Sequence, residues 1–114
     1  MKNIEGMSIL VTGGGSGIGT DCARRFCAQG AHVTISGRRL EKLEAAAAEL
    51  GDNCHIVQGD VTVENDRENM LSEAVRHGNG KLDALVNNAA NMYRQPVDGY
   101  TEAWPSETLE LHSL

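Results

Sequence analysis

The stretch Thr12-Gly13-Gly14-Gly15-Ser16-Gly17-Ile18-Gly19 constrains this chain more than any other. It follows a short apolar run, Met7-Ser8-Ile9-Leu10-Val11, and opens directly into a helical pattern. A strand, a glycine-rich turn and a helix N-terminus together make a cradle for a phosphate. Without a Cβ the backbone can adopt positive φ and approach an anion closely. The helix then aims unpaired N–H groups and a partial positive charge at that anion. Two common phosphate loops do not match. Gly14 and Gly19 have the P-loop spacing, but Thr20 and Asp21 follow, so the lysine is missing. The pattern G-x-G-x-x-G also fails, since Gly13-x-Gly15 leads to Ile18 and Gly17-x-Gly19 leads to Cys22. What is present is T-G-x-x-x-G-x-G.

Beyond this turn the apolar pattern alternates between two periods. Residues 7–11 read as a buried strand. Ile18, Cys22, Ala23, Phe26 and Cys27 recur at helical spacing, and Gly30 supplies a stop. Residues 32–36 form a second strand, rich in β-branched Val33, Thr34 and Ile35. Leu40, Leu43, Ala47 and Leu50 trace a second helix ended by Gly51, and residues 54–58 a third strand. Met70, Leu71, Ala74 and Val75 mark a third helix within residues 62–77, stopped by Gly78-Asn79-Gly80. Residues 82–86 form a fourth strand. The order β-α-β-α-β-α-β, with crossovers of helix length, predicts parallel strands with helices on both faces. The fold class expected is therefore α/β, one doubly wound domain over residues 1–114, without internal repeats or linkers.

Composition narrows the function classes. The chain has 114 residues, 40% hydrophobic and 23% charged, with a net charge of −6. No basic run extends beyond Arg24-Arg25 and Arg38-Arg39, which disfavours a nucleic-acid surface. No apolar stretch has membrane-spanning length, and no signal-peptide pattern opens the chain, so a cytoplasmic protein is expected. Cys22, Cys27 and Cys54 form no C-x-x-C pair, which argues against a disulfide framework; Cys22 and Cys27 read as small buried helix residues. His32, His55, His77 and His112 lack metal-ligand spacing and read as structural or surface residues, with no metal site.

In a doubly wound sheet, ligands bind beyond the carboxyl ends of the strands. Strand one delivers the glycine turn there, strand two Gly37-Arg38-Arg39, strand three Asp60-Val61, and strand four Asn87-Asn88-Ala89-Ala90. T-G-x-x-x-G-x-G, then Asp-Val, then N-N-A-[AG], in this order and spacing, resembles the short-chain dehydrogenase/reductase family. The resemblance covers essentially the whole chain but only the N-terminal half of the family's domain. It implies a Rossmann-like sheet, here truncated after about four strands, and hydride transfer between NAD(P)(H) and an alcohol or carbonyl. By that resemblance Gly13, Ser16, Gly17, Ile18 and Gly19 would approach the cofactor's pyrophosphate and adjoining ribose. Asp60 would accept from the adenine amine and Val61 would offer a backbone donor. Asn87, Ala89 and Ala90 would flank the ribose and nicotinamide, while Asn88 would tie strand four to its neighbours. Where this chain has Ala90 the family more often has glycine.

The end of strand two indicates which dinucleotide. An NAD site usually places a carboxylate there for the ribose 2′-OH. This chain reads Ser36-Gly37-Arg38-Arg39, with no acid. Arginine can hold a 2′-phosphate bidentately. NADP(H) is therefore expected over NAD(H), with Arg38 the main partner and Arg39 or Ser36 assisting. The alternative is that both arginines pair with Glu41 or Glu44 on an exposed helix turn.

The family's proton-transfer apparatus is missing. Tyr93 and Tyr100 are followed four residues on by Val97 and Trp104, so no Y-x-x-x-K exists within these 114 residues, and no catalytic residue is assigned. Thr101-Glu102-Ala103-Trp104 resembles the start of the family's next helix, with Thr101 as N-cap. Pro105 looks like an insertion that displaces His112 from the position of an expected asparagine. Strand four would be left as an apolar edge, blunted only by Lys81 and Asp83, so the chain is expected to be marginally stable or to self-associate there. Three readings follow. One is the cofactor-binding portion of such an oxidoreductase, inactive by itself and meeting its substrate only in a complete protein. The others are a non-catalytic dinucleotide-binding or interaction module, and a truncated product without independent function.

Overall fold

The computed structural model of the protein describes residues 3–15, 17–88 and 109–111. The elements run β1 (Ser8–Thr12), α1 (Gly17–Ala28), β2 (His32–Gly37), α2 (Leu40–Leu50), β3 (Cys54–Gln58), α3 (Glu64–His77), β4 (Ala84–Asn87) and β5 (Leu109–Leu111). The sheet order is β3-β2-β1-β4-β5. The first four strands are parallel and β5 runs antiparallel to β4.

Strand parity sorts the core into two layers. Ile9, Val11, Val33, Ile35, Ala84 and Val86 pack with Ala23 of α1 and with Leu43 and Ala46 of α2. Leu10, Val57 and Leu85 pack with Met70 and Ala74 of α3. Helices thus cover both faces, as the right-handed crossover rule requires, and the α/β, Rossmann-like arrangement is the one expected. Leu10, Ile35, Leu43 and Met70 are wholly buried. Each such side chain stabilises the fold by roughly 1.5–3 kcal/mol. Helix α2 ends where Gly51 takes φ 95°, its N–H reaching the Ala47 carbonyl at 3.0 Å. A residue with a Cβ would be strained in that left-handed conformation.

Strand four is not the open edge that was expected. Strand β5 pairs with it along Ala84↔Leu111, Leu85↔Glu110 and Val86↔Leu109. The sequence Leu109-Glu110-Leu111 alternates with the period of a strand. Pairing it with β4 satisfies backbone groups that a bare edge would leave to solvent. Any association through this side of the sheet would therefore run along β5. Asp83 is not an edge guard either. Its Oδ2 accepts from the Ser8 N–H at 2.8 Å and lies 3.1 Å from Lys81 Nζ, while its own N–H donates to the Ser8 carbonyl at 2.8 Å. The Ser8 amide first, and Lys81 after it, hold the Asp83 carboxyl below the usual carboxylate range. This reciprocal pair fixes the start of β4 against the start of β1. No helix among the described residues is long and apolar enough to cross a membrane.

Candidate functional site

Strands β1 and β4 are neighbours in the sheet, yet the chain leaves β1 toward β2 and β3 on the other side. That reversal is the topological switch point, where an open α/β sheet has its crevice. The glycine turn lies on one side of it and Asn87-Asn88 on the other.

The glycines of the turn do different jobs. Gly13 and Gly17 take φ of 69° and 53°. A Cβ on Gly17 would meet nothing within 4 Å, so the backbone there faces open space. Gly14 and Gly19 answer to packing. A Cβ on Gly14 would come 2.5 Å from Ile35 Cβ, and one on Gly19 would run into the Gly13 carbonyl oxygen. Three ties hold the turn in place. The Gly14 N–H donates to the Ser36 carbonyl at 3.0 Å, Thr20 Oγ1 to the Gly14 carbonyl at 2.7 Å, and Asn88 Nδ2 to the Gly13 carbonyl at 3.3 Å. The first turn of α1, with Gly17, Ile18 and Gly19, carries no acidic residue. Its N–H groups are therefore available to an anion without competition from a local carboxylate. Ile18 is 69% exposed beside them. Ser16 lies outside the described residues.

At the end of β2, Arg38 and Arg39 are both exposed. Neither forms an ion pair among the described residues; the pairing with Glu41 or Glu44 does not occur. The Arg38 carbonyl accepts from Gln58 Nε2 at 3.0 Å, which ties this corner to β3 and leaves the guanidinium to solvent. Ser36 does not share that rim. Its side chain is wholly buried, because strand alternation turns it in, in the row Val57–Ser36–Thr12–Asn87 across the sheet. Its Oγ has no hydrogen-bond partner among the described residues. The expectation that Ser36 assists Arg38 is corrected accordingly. An unpartnered buried hydroxyl costs about 1–3 kcal/mol. Ser36→Ala should therefore leave stability unchanged or raise it by about 1 kcal/mol in urea unfolding. A clear loss of stability would mean that the hydroxyl has a partner in solution.

Past β3, Asp60 Oδ1 accepts from both the N–H and the Oγ1 of Thr62, at 2.9 and 2.7 Å. These bonds hold its carboxyl below the usual range, with Arg38 adding a smaller pull. Asp60 is thus a turn-building residue with one oxygen committed; Oδ2 has no partner among the described residues. The Val61 N–H is likewise without one, so a donor and an acceptor stand side by side. Helix α3 positions both. Asp66 Oδ2 accepts from the Asp60 N–H at 2.8 Å, and Arg67 Nη1 donates to the Val61 carbonyl at 2.7 Å.

Past β4, Asn87 is wholly buried and its Oδ1 accepts from Thr12 Oγ1 at 2.9 Å. Its side chain braces β1 against β4. Asn88 ties the strand to the glycine turn, as expected. Ala89 and Ala90 lie outside the described residues, as do Tyr93, Tyr100, Thr101, Pro105 and His112. Thr20, Asp66 and Arg67 are the supporting residues whose roles sequence reasoning passed over. Only the six-residue step from Asp60 to Asp66, repeated from Val61 to Arg67, could have drawn attention to the last two.

These features define a Rossmann-like α/β protein with an anion cradle at its switch point. Residues 7–111 match the short chain dehydrogenase family. The chain belongs to that family. Among its relatives, the oxidoreductase asL5 of Sarocladium schorii is 43% identical over 101 residues, covering 89% of this chain and 40% of that protein. The serine 3-dehydrogenase of Agrobacterium fabrum is 48% identical over 82 residues, 72% of this chain and 32% of that protein. Solved structures agree. A short chain dehydrogenase from Bacillus anthracis superposes with a TM-score of 0.71 at 31% identity, over 90% of this chain and 44% of that one. A 3-ketoacyl-(acyl-carrier-protein) reductase from Brucella melitensis, complexed with NADH, gives 0.69 at 38% identity, over 72% and 34%. The chain thus spans less than half the length of each of these proteins.

Proposed function

We propose that this chain is the dinucleotide-holding portion of a short-chain oxidoreductase, 1–114 forming part of one Rossmann-like domain, and that it prefers NADP(H) to NAD(H). One observation supports this best: the cradle at the switch point stands beside an exposed Arg38 that no carboxylate among the described residues occupies. The residues fit the ligand. Gly17 gives open backbone approach, and the first turn of α1 gives N–H donors for a pyrophosphate. Arg38, with Arg39 beside it, offers charge for a 2′-phosphate. Asp60 Oδ2 and the Val61 N–H offer an acceptor and a donor for an adenine edge. Once bound, such a cofactor supplies a hydride to a carbonyl or accepts one from an alcohol. This chain's residues bind and orient; with no Y-x-x-x-K they provide no family proton relay, and we expect binding without turnover from these 114 residues alone.

The Brucella reductase was solved with NADH, so family membership leaves the choice of dinucleotide open and the preference rests on Arg38. A charge-assisted bond of this kind contributes roughly 1.5–3 kcal/mol, or about tenfold or more in affinity. Calorimetric titration should show NADPH binding at least about tenfold tighter than NADH, with Arg38→Ala bringing the two together. Equal affinities in the unaltered chain, or an unchanged preference in the variant, would refute the assignment. The non-catalytic module reading makes the same binding prediction and differs only in what the rest of the protein does.

A further inference from the structure

The corner between β2 and α2 carries Arg38 and Arg39, and hydrogen bonds to successive carbonyls pin it. The Gly37 carbonyl accepts from the Gly59 N–H at 2.8 Å, the Arg38 carbonyl from Gln58 Nε2 at 3.0 Å, and the Arg39 carbonyl from the Leu43 N–H at 3.2 Å. The outer two are backbone bonds that any sequence could make. One carries the β2–β3 pairing past the register pair Gly37↔Gln58, and the other opens the hydrogen bonding of α2. The middle bond is the one among the described residues that a side chain supplies. Arg39, at the N-cap of α2, adds no side-chain cap of its own.

The Gly37 carbonyl belongs to the peptide before the Arg38 Cα, and the Arg38 carbonyl to the peptide after it. Gly59 therefore holds one flanking plane and Gln58 the other. Because peptides are planar, fixing both gives the Arg38 Cα–Cβ bond a single direction. That direction matters for a guanidinium, whose rigid fork meets a phosphate bidentately only from the right approach. Gln58 is itself exposed, so its amide can be exchanged without disturbing the core.

We propose that Gln58 is a positioning residue for the choice of dinucleotide: its side-chain amide holds the Arg38 carbonyl and so aims the guanidinium at a 2′-phosphate. The inference rests on the proposed preference for NADP(H). Gln58 acts through Arg38, so a dinucleotide with a bare 2′-OH is indifferent to it.

Gln58→Met keeps the length of the side chain and removes the donor. In calorimetric titration it should weaken NADPH binding about threefold, the net worth of one hydrogen bond, and leave NADH binding unchanged. A merely structural role would weaken both, and intact NADH binding also certifies the fold of the variant. The same change made in the Arg38→Ala chain should have no effect on NADPH, because the group it aims is gone. Undiminished NADPH binding in Gln58→Met, an equal loss for both dinucleotides, or the same loss in the Arg38→Ala background would each overturn the proposal. The last of these would mean that Gln58 meets the phosphate directly. Equal affinities in the unaltered chain would overturn the NADP(H) preference together with this inference, so the two failures are distinguished.

Discussion

Alanine at Gly19 should weaken dinucleotide binding and destabilise the chain. The added Cβ would strike the Gly13 carbonyl oxygen, lie 2.9 Å from its carbon and 3.0 Å from Asn88 Nδ2. The obstruction is backbone, and it is already held by Asn88. No rotamer change can relieve it. Either α1 backs away from the turn or the turn moves, and both misplace the N–H groups offered to the anion. Overpacking of this kind costs about 1–3 kcal/mol, and calorimetry with NADPH should show a loss of about tenfold at least. Gly17→Ala provides the contrast, since its Cβ meets open space. It pays only for its φ of 53°, about 1–2 kcal/mol. Wild-type affinity and stability in Gly19→Ala would show that the close approach of α1 to β1 is not needed.

The largest effect on stability alone is expected at Gly78→Ala. Gly78 closes α3, its N–H bonding the carbonyls of Ala74 and Val75 at 2.9 and 3.1 Å. A Cβ there would run into Oγ and Cβ of Ser8 and come 2.5 Å from the Lys81 carbonyl oxygen. Ser8 cannot give way. It is buried, its Oγ donates to the Ala74 carbonyl, and its backbone is engaged by Asp83. The substitution therefore strains the junction of α3, β1 and β4 together. A loss of about 3 kcal/mol is expected, at the upper end of overpacking costs. Gly51→Ala should lose only about 1–2 kcal/mol, from its left-handed φ. Urea midpoints at constant m-value measure both. Equal losses would mean that the Gly78 junction relaxes freely.

Much of this fold was legible because each crossover carries its own punctuation. Gly30, Gly51 and Gly78 stop the three helices where the apolar stripes end, and β3 spans residues 54–58 as read. Which residues face inward was less legible. Ser36 sits beside Arg38 in sequence, so both read as rim residues. Strand parity puts Ser36 in the same row as Thr12, and counting parity along β2 would have shown it. Asp60 was read for the acid it carries, whereas its bonds to Thr62 serve the turn first. Leu109-Glu110-Leu111 could not be settled locally, because three residues satisfy a strand and a helix alike. The stacked rings of His55 and His77, with centroids 3.9 Å apart, join residues that sequence spacing kept separate.

The glycine turn is tied from three directions, by Ser36 of β2, Thr20 of α1 and Asn88 after β4. Those bonds are made within the chain, so its own contacts shape the cradle. An arriving anion meets a finished surface and spends little of its binding energy on ordering it. Capture is then governed by diffusion and charge, and the lifetime of the complex, more than its rate of formation, sets the affinity.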